Sequence, residues 1–163
     1  MRCAITGHQD LLNAATIYWV SEQIRVFLNE ESVETGVTCL AVGSDQIFAQ
    51  QLLYCGKNYE VIIPCKNYEN TFTYKKDANQ FNSLLKNASK LIILEFPAPS
   101  EEAFLAAGQY AVSNSDMLLA IWDNKPAKGL GGTADIVSFA IQNRKRVFHI
   151  NPFTRKKIYI EVK

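Results

Sequence analysis

Apolar residues fall along this chain in two alternating rhythms. Short continuous runs at residues 2–6, 37–42, 59–63, 91–94, 117–122 and 146–150 have the length and composition of buried strands. Longer stretches between them repeat apolar positions at helical spacing. Residues 12–29 carry Ile17, Val20, Ile24, Phe27 and Leu28, and residues 44–55 carry Ile47, Phe48 and Leu52. Residues 77–87 carry Phe81, Leu84 and Leu85, and two further helices are predicted at 100–113 and 132–143. Gly36 and Gly56 read as helix stops, Pro64 as the end of the third strand and Pro97-Ala98-Pro99 as the turn after the fourth. Residues 157–162 place Ile158, Ile160 and Val162 on one side and predict an edge strand. The least regular stretch, residues 66–76, reads as a surface loop.

Strand–helix–strand order repeated in this way predicts an α/β protein, with a mainly parallel sheet covered by helices on both faces. The 163 residues make one domain, 1–163, with no internal repeat, low-complexity tract or linker. A formal net charge of +1 removes the basic footprint expected of a nucleic-acid binder, and no apolar run has the length of a membrane span. The N-terminus enters a strand-like run at once and has no secretory pattern. Cys3, Cys39, Cys55 and Cys65 include no C-x-x-C pair; Cys3 and Cys39 read as small buried hydrophobes. Cytoplasmic residence is the expectation, with no metal site.

In such a sheet ligands bind outside the carboxyl ends of the strands. The loops there are Thr6-Gly7-His8-Gln9-Asp10, Gly43-Ser44-Asp45-Gln46, the segment from Pro64 onward, and the loop after Trp122. This last loop holds Asp123 and then Gly131-Gly132-Thr133 at a helix start. Adjacent glycines let the backbone approach a phosphate, and the free N–H groups of a first helical turn favour an anion. The plain alternative is a turn with a Thr cap. Gly43-Ser44-Asp45 repeats the pattern, although Ser44 or Asp45 also reads as an ordinary helix cap. His8, at the end of the first strand, points toward the expected crevice or bonds a neighbouring loop. His149, inside a strand, reads as structural. Trp122 and Tyr110 are candidates for stacking on a base or for simple packing, and Asp123 is the candidate for sugar hydroxyls.

The motifs ITGHQDL (5–11), VGSDQIFAQ (42–50), FNSLLKNA (81–88), FLAAGQYAVSNSDMLLAIWDNKPAKGLGGTADIVSFA (104–140) and VFHINP (147–152) run nearly the whole length of the chain. In this order they resemble the SLOG superfamily, which takes in LONELY GUY phosphoribohydrolases, the DNA-processing protein of natural transformation and molybdenum-cofactor carriers. The resemblance implies a Rossmann-like, doubly wound domain that binds a nucleotide or nucleotide-derived ligand at its Gly-rich loops. It further implies a sensor that assembles as a homo-oligomer and acts through a separate effector protein. The hydrolases of this superfamily carry P-G-G-x-G-T-x-x-E, and Ile136 stands at the Glu position. An isoleucine moves no proton, and Asp135 is turned from that direction by about 100°. The stretch that holds the upstream Arg is here Leu105-Ala106-Ala107-Gly108. Gln9 stands in place of the branch's usual Arg and Asn124 in place of its Gly, the former removing a positive charge.

The resulting expectation is a nucleotide-type ligand, with no firm cofactor and no turnover. Its site comprises Thr6, Gly7, His8, Gln9, Gly43, Ser44, Asp45, Gln46, Tyr110, Asp123, Gly131, Gly132 and Thr133. The alternative is an enzyme cleaving an N-glycosidic bond, of phosphoribohydrolase or deoxyribosyltransferase type, with Asp45 or Asp123 as acid/base. A single-stranded DNA-binding module is the third reading, and the near-neutral charge speaks against it. The helix at 100–113 spreads Phe104, Leu105, Ala107, Ala111 and Val112 over more than one face and is expected to contribute an oligomer interface.

Overall fold

The alternation predicted above is realised as a seven-stranded sheet in the order β4-β3-β2-β1-β5-β6-β7. The computed structural model describes residues 1–160. Its strands are β1 (Arg2–Gly7), β2 (Thr35–Thr38), β3 (Asn58–Cys65), β4 (Lys90–Phe96), β5 (Met117–Ile121), β6 (Arg146–Ile150) and β7 (Lys157–Ile160). All neighbours run parallel except β6 and β7. The helices are α1 (Ala14–Glu30), α2 (Ser44–Tyr54), α3 (Lys75–Leu85), α4 (Glu101–Ser113) and α5 (Thr133–Gln142).

Side-chain alternation along the strands builds two cores. Ile5, Leu119 and Ile121 pack on one face with Ile24 and Phe27 of α1, Phe48 and Leu52 of α2, and Phe81 of α3. Ala4, Leu118 and Ala120 pack on the other with Ala107 and Ala111 of α4, and Ile136 and Ala140 of α5. Every residue of β5 is buried, which explains why that segment reads as an unbroken apolar run rather than an alternating one. Chain order reverses between β1 and β5: the chain goes from β1 outward through β2 and β3 to the edge strand β4, then returns to β1's other side. That switch point opens a crevice at the carboxyl edge.

Several boundaries differ from the expected ones, each for a local reason. The second strand is Thr35–Thr38, not 37–42, because Leu40 takes φ +54° and turns the chain out of the sheet. Pro64 does not end β3; the strand continues to Cys65, with a register shift between Ile63 and Cys65 where proline has no N–H to donate. The segment 66–76 is not a simple surface loop. It contains a 3-10 turn, Tyr68–Thr71, and a buried Tyr68 whose ring meets Phe72, Phe81 and Phe104 edge-on. In the last strand, Val162 lies outside the described residues.

Helix α4 spends its apolar residues within the chain. Ser100 caps it by accepting from the Ala103 N–H at 3.1 Å. Ala103, Ala107, Ala111 and Val112 are buried, and Phe104 packs on Tyr68. Gly108 admits Ile136: a Cβ there would lie 2.4 Å from Ile136 Cδ1. Thus the apolar spread that suggested an interface is largely met by the sheet, α5 and the Tyr68 turn.

Candidate functional site

At the switch point the strand ends and following loops enclose a cavity of about 1070 Å³. Its walls are the β1–α1 loop (Thr6 to Asp10), Cys39, Ala41 and Asp45 beside β2, Tyr68 and Phe72, the start of α4, and the β5–α5 loop from Trp122 to Ala134. A second cavity of about 630 Å³ adjoins it over Gln9, Gly43, Gln46 and the start of α3.

The β5–α5 loop supplies the donors. Gly131 takes φ +81° and lies so close to α4 that a Cβ would sit 2.8 Å from the Leu105 nitrogen. Gly132 is the N-cap of α5 and offers no side-chain cap. The N–H groups of Gly132, Thr133 and Ala134 find no acceptor among the described residues, and all three residues line the cavity. Free first-turn N–H groups at the positive end of a helix favour an anion. One donor is already engaged: Gly131 N–H donates to Asp135 Oδ2 at 2.9 Å. Asp135 thereby places a fixed negative charge beside the loop.

His8 and Asp123 meet across the switch point. The Asp123 N–H donates to His8 Nε2 at 3.1 Å, which requires the neutral imidazole with its proton on Nδ1. Protonation of His8 would turn Nε2 into a donor toward Asp123 Oδ1, also at 3.1 Å. Burial pushes the Asp123 carboxyl up, but the Lys125 N–H and ammonium, joined by His8 in its protonated form, outweigh it and hold the carboxyl below its ordinary value. Phe153 stacks on the His8 ring with centroids 5.7 Å apart. His149 is structural as expected, buried with Nε2 2.7 Å from the Trp122 carbonyl.

The α2 loop is engaged differently. Ser44 Oγ donates to the His8 carbonyl at 2.8 Å and is fully buried, so Ser44 ties two loops together and does not reach the cavity. Gly43 takes φ +83°, and a Cβ on it would lie 2.3 Å from the Gln9 carbonyl oxygen; its glycine serves a crossing of backbones. Likewise a Cβ on Gly7 would meet Ser44 Oγ at 2.6 Å, although the Gly7 backbone lines the cavity. Asp45 accepts from Thr38 Oγ1 at 2.9 Å and the Cys39 N–H at 3.0 Å while still lining the cavity. Burial pushes its carboxyl up to about 6, with the bonds from Thr38, Cys39 and Ala41 working against that rise.

Of the expected site, Thr6, Gly7, His8, Gln9, Asp45, Asp123, Gly131, Gly132 and Thr133 come together around the larger cavity. Gly43 and Gln46 line the smaller one, with Gln9 on both. Ser44 and Tyr110 line neither: Ser44 is spent on the His8 carbonyl, and Tyr110, two residues after the cavity-lining Gly108, lies on another face of α4. Residues not expected also line the larger cavity, among them Glu101, Phe104, Tyr68, Lys125, Lys128 and Phe153. The β4–α4 loop that positions Glu101 also follows a strand's carboxyl end, a signal available in the sequence. The position of Ile136 is filled by apolar packing on Gly108. Among the described residues no cluster of three His, Cys, Asp or Glu side chains is placed to hold a metal, and no helix is long and apolar enough to cross a membrane.

No family model matches the chain, and neither does any curated protein. Solved structures do. DNA processing protein A of Streptococcus pneumoniae matches 92% of this chain and 50% of its own, at 17% identity and a TM-score of 0.65. DNA processing protein A of Helicobacter pylori, described by its single-stranded DNA binding mode, matches 93% of this chain and 65% of its own, at 19% identity and a TM-score of 0.66. The molybdenum cofactor binding protein of Rippkaea orientalis matches 92% of this chain and 76% of its own, at 18% identity and a TM-score of 0.58. This chain therefore spans about half and two thirds of the two DNA processing proteins. Its fold is the Rossmann-like one that these structures share.

Proposed function

We propose that the protein binds a nucleotide or nucleotide-derived molecule in the larger cavity and acts as a ligand sensor, without hydrolysing it. The observation that carries this reading is the set of unpaired N–H groups at Gly132, Thr133 and Ala134, presented to a cavity that also holds Asp123. The first-turn donors suit a phosphate and Asp123 suits ribose hydroxyls. Support at the level of fold comes from structures named for a molybdenum cofactor and for single-stranded DNA. Long single-stranded DNA fits less well, because Asp10, Glu101 and Asp123 balance Lys125 and Lys128 along the walls. Self-association and signalling to a separate effector protein, within the cytoplasm, extend the same proposal; sedimentation with and without AMP tests the first of these.

Thermal shift with AMP tests the binding reading. Gly132→Val places a branched side chain between the donors and the ligand, where a Cβ already lies 2.9 Å from Ala127 Cβ. The wild type is expected to rise by several degrees at saturating AMP and the variant not at all. A variant shift equal to the wild type's would reject the site.

One observation favours an enzymatic reading as the alternative. Asp45 and Asp123 line one cavity with their carboxyl groups displaced in opposite directions, the pattern of an acid and an ionised partner. That arrangement suits cleavage of an N-glycosidic bond. With Ile136 at the hydrolase Glu position, no adenine is expected from AMP. Adenine release that vanishes in both Asp45→Asn and Asp123→Asn would overturn the sensor reading in favour of the enzyme.

A further inference from the structure

The smaller cavity is not needed for a mononucleotide. Yet it adjoins the larger one across Gln9, Asp10, Leu12, Val42 and Thr71, which line both. We infer that the two cavities hold the two halves of one ligand, a dinucleoside phosphate whose second nucleoside occupies the smaller cavity. This rests on the nucleotide reading of the larger cavity.

Three observations carry the inference. Gln46 is only 6% exposed and lines the smaller cavity. Its Nε2 is held by the Leu40 and Asp77 carbonyls at 3.2 and 3.3 Å, whereas Oε1 has no donor among the described residues. An accessible acceptor on a side chain fixed by two carbonyls suits the amino group of a base. Second, the same cavity carries exposed apolar surface on Tyr74 and Ile17, 64% and 43% exposed, the surface on which a base stacks. Third, Leu12 bridges the two cavities, 71% exposed at φ +70°. A leucine held in that conformation, with its side chain open, marks a strained position of the kind found at ligand clamps. Charge then limits the ligand. Lys76 is outnumbered by Asp10 and Asp77, so the smaller cavity suits an uncharged nucleoside, and the ligand's one phosphodiester belongs outside it.

Calorimetric titration of the full chain with AMP and with adenylyl-(3′→5′)-adenosine tests this. The wild type is expected to bind the dinucleoside about tenfold more tightly than AMP, the order of one stacked base. Tyr74→Ala, an exposed position that the fold does not need, should remove at least half of that gain on a logarithmic scale while leaving AMP affinity unchanged, and Gln46→Met should remove as much of the gain. AMP binding with no dinucleoside advantage, or an advantage that survives both variants, overturns the inference and leaves the larger site standing. Failure of the wild type to bind either compound at millimolar concentration rejects the nucleotide reading, and the inference with it.

Discussion

Two helix starts on the carboxyl edge look alike in sequence and differ in the structure. Gly43-Ser44-Asp45 opens α2 and Gly131-Gly132-Thr133 opens α5. At α2, Ser44 bonds the His8 carbonyl, the Ser44 N–H does the same at 3.1 Å, and Asp45 is held by Thr38 and Cys39. Of the four N–H groups from Gly43 to Gln46, those of Ser44 and Gln46 find acceptors within the chain, and the Ser44 and Asp45 side chains are spent there as well. At α5 the three consecutive N–H groups of Gly132, Thr133 and Ala134 find no acceptor among the described residues, and all three residues line the cavity. A glycine before a helix therefore carries two meanings, a close approach of chain to chain or of chain to ligand. Which one holds depends on what lies opposite in space.

The sharpest break between the two loops comes from the same substitution in each. Gly43→Ala forces a Cβ to 2.3 Å from a backbone oxygen at φ +83°, and is expected to cost about 3 kcal/mol or more in urea denaturation. Gly132→Ala, at φ −70°, needs no strained backbone but brings a Cβ to 2.9 Å from Ala127 Cβ, so the loop must shift slightly, and it should cost about 1–2 kcal/mol. Equal costs would erase the distinction between a structural and a ligand-facing glycine.

A smaller effect separates the two loops by pH. The folded Asp45 carboxyl titrates at about 6, above its unfolded value near 3.9. Between these values the folded state binds the proton and the unfolded state does not, so stability falls as pH rises from about 4 to about 6. The ionised form above pH 6 carries a penalty of about 3 kcal/mol at most. Asp45→Asn, an uncharged acceptor for Thr38 and Cys39, should flatten this part of the stability profile and gain stability at pH 7.5 relative to pH 4.5. Chemical denaturation at the two pH values checks it; a profile as steep as the wild type's would show that Asp45 is not the group concerned.

Much of the fold was legible because its strands announce themselves. The continuous apolar runs at β5 and β6 match buried parallel strands to within a residue, and the order of elements implied the doubly wound sheet. Tyr68 was not legible, because an aromatic in an irregular stretch gives no periodic signal and its burial depends on Phe81 and Phe104, distant in sequence. At the site, Asp123 and Gly132 could be placed from strand ends alone. Ser44 was misread for a physical reason: its partner, the His8 carbonyl, lies 36 residues away, and no local pattern reports a side chain already spent. Glu101 was missed because the loop after β4 was read as a turn rather than as a fourth wall of the crevice.

The finest test concerns the one donor at α5 that is not open. Asp135 accepts the Gly131 N–H and sits in the first turn of α5, where a negative charge complements the helix dipole. In the apo protein the carboxylate is therefore favourable. Toward an incoming phosphate it is a rival, since both want the same positive helix end and like charges repel. Asp135→Asn keeps an acceptor for Gly131 and removes the charge. Apo stability should fall by about 0.3–1 kcal/mol, the usual worth of a charge at a helix terminus. AMP affinity should rise about two- to fivefold, and the gain should shrink at 0.5 M salt as the repulsion is screened. Titration at low and high salt reads both signs at once. Affinity that falls in the variant would mean that Asp135 holds the Gly131 loop in its binding shape rather than competing with the anion, and that the α5 loop, like the α2 loop, depends on its own internal bonds.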